Sequence, residues 1–301
     1  MPLPTTETVP AGDYIDARTA LHAATFLLDG QLAAIDAVKH AAPALSKGAQ
    51  RMASAIRAGR SLHYAAAGSS GLMALADASE LHGTFGIPSD QINIHMAGGV
   101  PVDGYMPGDT EDDETAVAQI AEKMRAGDIV IVLTASGTTP YALEVSRIAQ
   151  RKGATVIGIA NNSGTPLLDL ADEPVCIQTA PEVIAGSTRL GAGTAQKAAL
   201  NLMSSLMGIE LGHVYRGEMV NVIADNAKLV RRSLGMVARI AGVSEDAAEA
   251  AIAQADGRVK PAILVATGCQ LEQALSLLEQ HSGQLGPCLA SLTSNQTNGS
   301  N

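Results

Sequence analysis

The stretch "LHYAAAGSSGLMALADASELHGTFG", residues 62–86, decides the fold class. It opens as a short, near-continuous apolar run. It passes through Gly68-Ser69-Ser70-Gly71 into a helix-forming segment that carries a carboxylate, Glu80. An apolar run of this length suits a parallel strand buried on both faces, and strand–turn–helix is the opening of a βαβ unit. Working outward, the pattern repeats. "INIHMAG" (92–98), "DIVIVLTASG" (128–137), "ATVIGIANNSG" (154–164) and "PVCIQTA" (174–180) alternate with helical segments near 72–84, 113–125, 140–152 and 190–210. The alternation predicts an α/β fold, a three-layer α/β/α sandwich on a mainly parallel five-stranded sheet. Ligands of such sheets bind at the carboxyl ends of the strands.

The flanks read differently. Residues 1–44 form an irregular and then helical N-terminal segment. Apolar residues at Leu21, Phe26, Leu28, Leu32, Ile35 and Val38 recur near helical spacing. Residues 45–236 hold the main domain. Residues 237–292 form a small helical subdomain, with Ser244 as an N-cap, Gly257 and Gly283 as helix stops and Pro261 in a first turn. The polar tail "TSNQTNGSN", 293–301, is expected to be disordered.

Of the 301 residues, 47% are hydrophobic but only 2% aromatic, so a sizeable core must be built of aliphatic side chains and methionine. A net charge of −10 excludes the basic face that nucleic acid or an anionic membrane requires. An anionic small ligand is still compatible, because backbone N–H groups and local cations bind it whatever the net charge. Cys176, Cys269 and Cys288 are odd in number and lack metal-ligand spacing, which fits reduced thiols in a cytoplasmic protein. The start "MPLPTTETVPAGDYID" does not have the form of a secretory signal.

Two turns stand out. Gly68–Gly71 follows the first strand, and Ser136-Gly137-Thr138-Thr139-Pro140 follows "VLTA". Small residues admit a ligand close to the backbone, and hydroxyls add to the N–H donors of a helix start, which suits a phosphate or sugar hydroxyls. Ordinary N-caps and turns use the same residues. Neither G-x-G-x-x-G nor G-K-[ST] is present, so dinucleotide and P-loop readings fall away. Glu80 lies about two and a half turns into its helix and Glu111 lies in the acidic run "GDTEDDE". Two carboxylates in different surroundings can divide acid and base roles, although an acidic run more often forms a solvated helix start.

Six segments occur together in order: "GSSGLMALADASELHGTFG", "AGG" (97–99), "EDD" (111–113), "TASGTTPY", "EVIAGSTRLGAGTAQK" and "MVNVIADNAKL". In these the chain resembles the N-acetylmuramic acid 6-phosphate etherases over roughly residues 45–290. The resemblance implies the sugar isomerase (SIS) fold, a homodimer with its site near the interface, and no metal or redox cofactor. It implies cleavage of a lactyl ether at C3 of an amino-sugar phosphate, with Glu80 as acid and Glu111 as base. Substrate contacts are expected from Ser69, Ser70, Gly71, Ser136, Gly137, Thr138, Thr139, Glu182, Ser187, Arg189 and Lys197. For Lys197 a solvated helix position is the alternative, and for Glu182 the capping of backbone donors. Asn226 is expected to be structural; His82, two residues past Glu80, is left without a firm role. An aldose–ketose isomerase and a non-catalytic sugar-phosphate regulator are the competing readings.

Departures from the family pattern cluster at the same turns. Leu72 and Thr138 stand where the family carries arginines, Leu81-His82-Gly83 replaces C-P-P, Val100 replaces a glutamate and Gly191 a lysine. The family's N-terminal motifs are not recognised before residue 20. Leu and Thr cannot clamp an anion in bidentate fashion, so the rim is expected to suit a different or less charged ligand.

Overall fold

A computed structural model describes residues 4–9, 14–106, 110 and 117–298. Contacts divide the chain into two compact units: Met1–Ser79 with Asp90–Leu206, and Glu80–Ser89 with Met207–Asn301.

The first unit is built on five parallel strands: β1 (Leu62–Ala66), β2 (Ile92–Met96), β3 (Ile129–Thr134), β4 (Thr155–Ala160) and β5 (Glu173–Cys176), in the order β2-β1-β3-β4-β5. Every residue of β1 and β3 is buried, which is why both read as near-continuous apolar runs. Helices α1 (Ala20–Arg57), α2 (Gly68–Phe85) and α6 (Gly191–Glu210) serve one face of the sheet. Helices α3 (Val117–Lys123), α4 (Pro140–Arg151) and α5 (Pro166–Leu170) serve the other. Ala65, Val130, Val132 and Val156 pack with Val117, Tyr141, Val145 and Leu167 on the α3–α5 side. On the opposite side a Cβ on Gly48 of α1 would meet Met203 of α6 at 2.8 Å and Ile157 of β4 at 3.4 Å. Glycine at that point lets the long helix approach the sheet.

The strands and helices of this unit agree with expectation, with three differences. The N-terminal helical region is one helix of 38 residues that crosses the boundary expected at residue 44 and contains Pro43. Of its six periodic apolar positions only Val38 is buried. Gly68–Gly71 is not a turn ahead of a helix but its first turn. Gly68 takes φ +54°, a conformation cheap only for glycine, so β1 passes into α2 with no further linker.

The second unit holds the hairpin β6–β7 (Val214–Tyr215, Glu218–Met219) and helices α7 (Ala227–Ala241), α8 (Glu245–Gln254), α9 (Val259–Ala266), α10 (Leu271–Gln280) and α11 (Leu285–Asn298). Its core joins Val220, Met236, Val237, Ala248, Ile263, Leu264 and Leu285. Ser244 caps α8 by accepting from Ala247 N, as its position predicts. The boundary expected at 236/237 falls inside α7. The tail is helical to Asn298, against the expectation of disorder from residue 293. Among the described residues no single helix is long and apolar enough to cross a membrane. The pair α9–α10 passes by length and composition only as two helices bent by 118°.

Candidate functional site

Strand order reverses between β1 and β3, with α2 leaving β1 on one face and α4 leaving β3 on the other. At such a switch point the two connections diverge and open a crevice at the carboxyl ends of the strands. A cleft of about 100 Å³ lies there. Ala67, Ser69 and Ser70 line it after β1; Leu133, Thr134, Ala135, Ser136 and Thr139 line it from β3; Thr188 and Glu7 close it.

The second turn is held by its own hydroxyls. Thr134, buried at the end of β3, pairs through Oγ1 with Thr139 Oγ1 at 2.7 Å and with Ser136 Oγ at 3.2 Å. Gly137 N donates to Thr134 Oγ1 at 3.3 Å, and Thr138 donates to Ser136 Oγ from both its N (3.2 Å) and its Oγ1 (3.0 Å). Gly137 has φ +76°, and a Cβ there would stand 2.2 Å from Thr165 Oγ1, so no other residue fits this corner. Gly71 is confined by Met96, 2.9 Å from where its Cβ would be.

Of the expected contact residues, Ser69, Ser70, Ser136 and Thr139 share the cleft. Gly71 and Gly137 shape its walls without lining it. Thr138 is exposed and turned toward Ser136. Ser187 does not line the cleft; its neighbour Thr188 does. Arg189 and Lys197 are exposed and line no part of it, which leaves the cleft without a cation among its described lining residues. Glu182 does not line this cleft. It is buried, and its two carboxylate oxygens accept from Gly191 N (2.8 Å) and Ala192 N (2.9 Å), so it caps the start of α6.

Glu80 is exposed on α2. Because the helix begins at Gly68, Glu80 is twelve residues in, about 18 Å of rise, rather than two and a half turns. Glu111 lies outside the described residues. Thr110 approaches Gly98, whose Cβ would fall 2.8 Å from Thr110 Cγ2. His82 Nδ1 donates to Ile87 O at 2.8 Å and ties off the end of α2. Asn226 caps α7 through Leu229 N.

Two buried polar clusters escaped the sequence reading. Asp77, one turn before Glu80, accepts from Tyr64 Oη (3.1 Å), Asn201 Nδ2 (2.7 Å) and Ser204 Oγ (2.9 Å), pinning α2 to β1 and α6. Burial pushes its carboxyl up, against the lowering effect of those three donors and the Lys197 charge. The second cluster joins β1, β2 and the start of β3. Asp128 accepts from Ser61 N (3.0 Å), Arg125 N (2.8 Å) and His63 Nε2 (3.3 Å), and His63 Nδ1 meets His95 Nε2 at 2.9 Å. This network assigns the His63 proton to Nε2, so His95 Nε2–H is the donor between the rings. Only Asp77 had a visible signal, its place in "DASE". The histidine pair depends on strand register, His63 beside Asn93 and His95 beside Ala65, which no local pattern reveals.

Comparison with known proteins identifies the family. The SIS domain family matches residues 104–206, so the chain carries an SIS domain over that stretch. Over 278 residues, 90% of each chain, the sequence is 41% identical to an N-acetylmuramic acid 6-phosphate etherase from Deinococcus radiodurans. It is 42% identical over 230 residues to one from Burkholderia lata (76% of this chain, 75% of that one). It is 37% identical over 273 residues to one from Geobacillus thermodenitrificans (90% and 92%). The chain belongs to the N-acetylmuramic acid 6-phosphate etherase family. The similarity is longer than the span 45–290 on which the resemblance was read.

Proposed function

We propose that this protein is a carbon–oxygen lyase that cleaves the lactyl ether of N-acetylmuramate 6-phosphate or a close amino-sugar phosphate. The carrying observation is the pairing, at one switch point, of two hydroxyl-rich helix starts in a chain of this family. Ser69 and Ser70 at the start of α2, with Ser136, Thr139 and Thr188, hold the phosphate without a cation. In the open-chain sugar the C1 aldehyde acidifies C2. Glu111 takes the C2 proton, the electron pair becomes the C2–C3 double bond, and the C3–oxygen bond breaks. Glu80 supplies a proton to the departing lactate oxygen, and water then adds at C3. Each group contributes about 10²–10⁴ in rate.

The protein works as a cytoplasmic homodimer in this reading. Helix α6 buries Ala195, Ala199, Leu200, Met203 and Met207 within the chain, so it is not the exposed apolar face. That face is on α1, where Leu21, Leu28, Leu32 and Ile35 are exposed at i, i+7, i+11 and i+14, one stripe of a helix–helix seam.

A proton NMR time course in D₂O with N-acetylmuramate 6-phosphate tests the proposal. Lactate release with deuterium at C2 is expected, and Glu111→Ala is expected to abolish it with the fold intact. Near-full activity in that variant refutes the base assignment; C2 exchange without lactate points to an isomerase.

A further inference from the structure

The N-terminal segment is tied to the carboxyl edge of the sheet through one buried side chain. Thr5 N donates to Asn162 Oδ1 at 2.7 Å, and Asn162 Nδ2 donates to Thr6 Oγ1 at 3.3 Å and to Ala135 O at 2.8 Å. Gly186 N adds a bond to Thr6 O at 3.2 Å, and Thr6 is completely buried. Asn162 therefore fixes the terminal segment and the turn after β3 in one frame. A single 3-10 turn, Thr5–Glu7, then delivers Glu7 to the wall of the cleft.

Among the described residues the Glu7 carboxylate makes no hydrogen bond or ion pair, and no other lining residue is charged. A carboxylate accepts hydrogen bonds and offers none. Facing this cleft, it repels a phosphate and attracts a neutral donor. The cleft therefore has donors at Ser69, Ser70, Ser136 and Thr139 and a charged acceptor at Glu7. We propose that Glu7 is a specificity-determining residue that accepts a hydrogen bond from a hydroxyl or amide N–H of the sugar, while the hydroxyls and helix starts take its phosphate. The assignment rests on the sugar-phosphate reading above. None of the described lining residues neutralises Glu7, so its preference for uncharged donors is undiluted.

The test uses Glu7→Gln and Glu7→Ala in the full chain. KM for lactate release is measured together with competitive inhibition by inorganic phosphate. Loss of a hydrogen bond to a charged group is expected to raise KM about ten- to a hundredfold in Glu7→Ala. Glu7→Gln keeps an acceptor oxygen and is expected to raise it less. In both variants phosphate is expected to bind at least about threefold tighter, because the opposing charge is gone. A segment that only holds the fold would weaken sugar and phosphate together. That result, or an unchanged KM in both variants, overturns the proposal. If the wild type releases no lactate, the substrate reading fails by itself. Calorimetric titration with inorganic phosphate then decides the Glu7 assignment: tighter binding to Glu7→Gln supports it, and unchanged or weaker binding overturns it.

Discussion

Lowering the pH from 7.5 to 5.0 is expected to destabilise this protein by about 2 kcal/mol through one side chain, His95. His95 is 7% exposed on β2, edge to edge with the fully buried His63, the two rings within 13° of parallel and their centroids 5.2 Å apart. Burial is the main cause that pushes its pKa down to about 3; the neighbouring His63 and the Lys123 charge push the same way. His63 is also lowered by burial, with Asp128 opposing. In the unfolded chain a histidine titrates near ~6.5. The folded state therefore binds fewer protons between those values, so stability is fully present above ~6.5 and is lost as the pH falls below it. At pH 5 the unfolded chain gains about 1.5 pH units of protonation free energy, about 2 kcal/mol, that the folded chain does not share. For a chain of this size that is about 3 °C in Tm. The assay is thermal or urea unfolding at pH 7.5, 6.0 and 5.0, at one protein concentration, for wild type and His95→Gln. Glutamine retains an N–H donor for His63 Nδ1 and does not titrate, so the variant is expected to show a shallower loss by that amount. Equal pH dependence in the two proteins refutes the reasoning.

Three further outcomes follow from named contacts. Gly137→Ala drives a Cβ to 2.2 Å from Thr165 Oγ1 at φ +76° and is expected to destabilise by about 2 kcal/mol or more and to weaken phosphate binding, measured by unfolding and calorimetry. Asp77→Ala leaves Tyr64, Asn201 and Ser204 without their shared acceptor; a loss of about 2–4 kcal/mol in urea unfolding is expected, with Tyr64→Phe losing about 1. Glu182→Ala removes the cap of α6 and is expected to lower stability by about 1–2 kcal/mol while leaving KM within about twofold, which separates a cap from a sugar contact in steady-state kinetics.

The two Gly/Ser/Thr segments were legible because small residues between an apolar run and a helix former obey local rules, although the first, Gly68–Gly71, is the opening of α2 and not a turn before it. The hairpin β6–β7 was missed because two-residue strands carry no periodicity; its one signal is Arg216-Gly217, both at positive φ between Val214-Tyr215 and Glu218-Met219. For Glu182 the sequence left a cap and a sugar contact both open, because a capping carboxylate and a ligand-binding one look alike until the backbone donors they face, here Gly191 N and Ala192 N, are known. Glu7 had no signal at all, since its role depends on a tie to Asn162, 157 residues beyond Thr5.

The sequence by itself determined the five strands, their alternation with helices, the hydroxyl-rich helix starts and the family. Each of these is written in hydrophobic period, glycine placement or short-range motif. Only the tertiary structure decided which hydroxyls share one cleft, that no described lysine or arginine lines it, that a carboxylate from the N-terminal segment does, and that two histidines meet edge to edge inside the sheet. Those facts depend on strand order and register, which bring together residues far apart in the chain and leave no mark on the residues beside them.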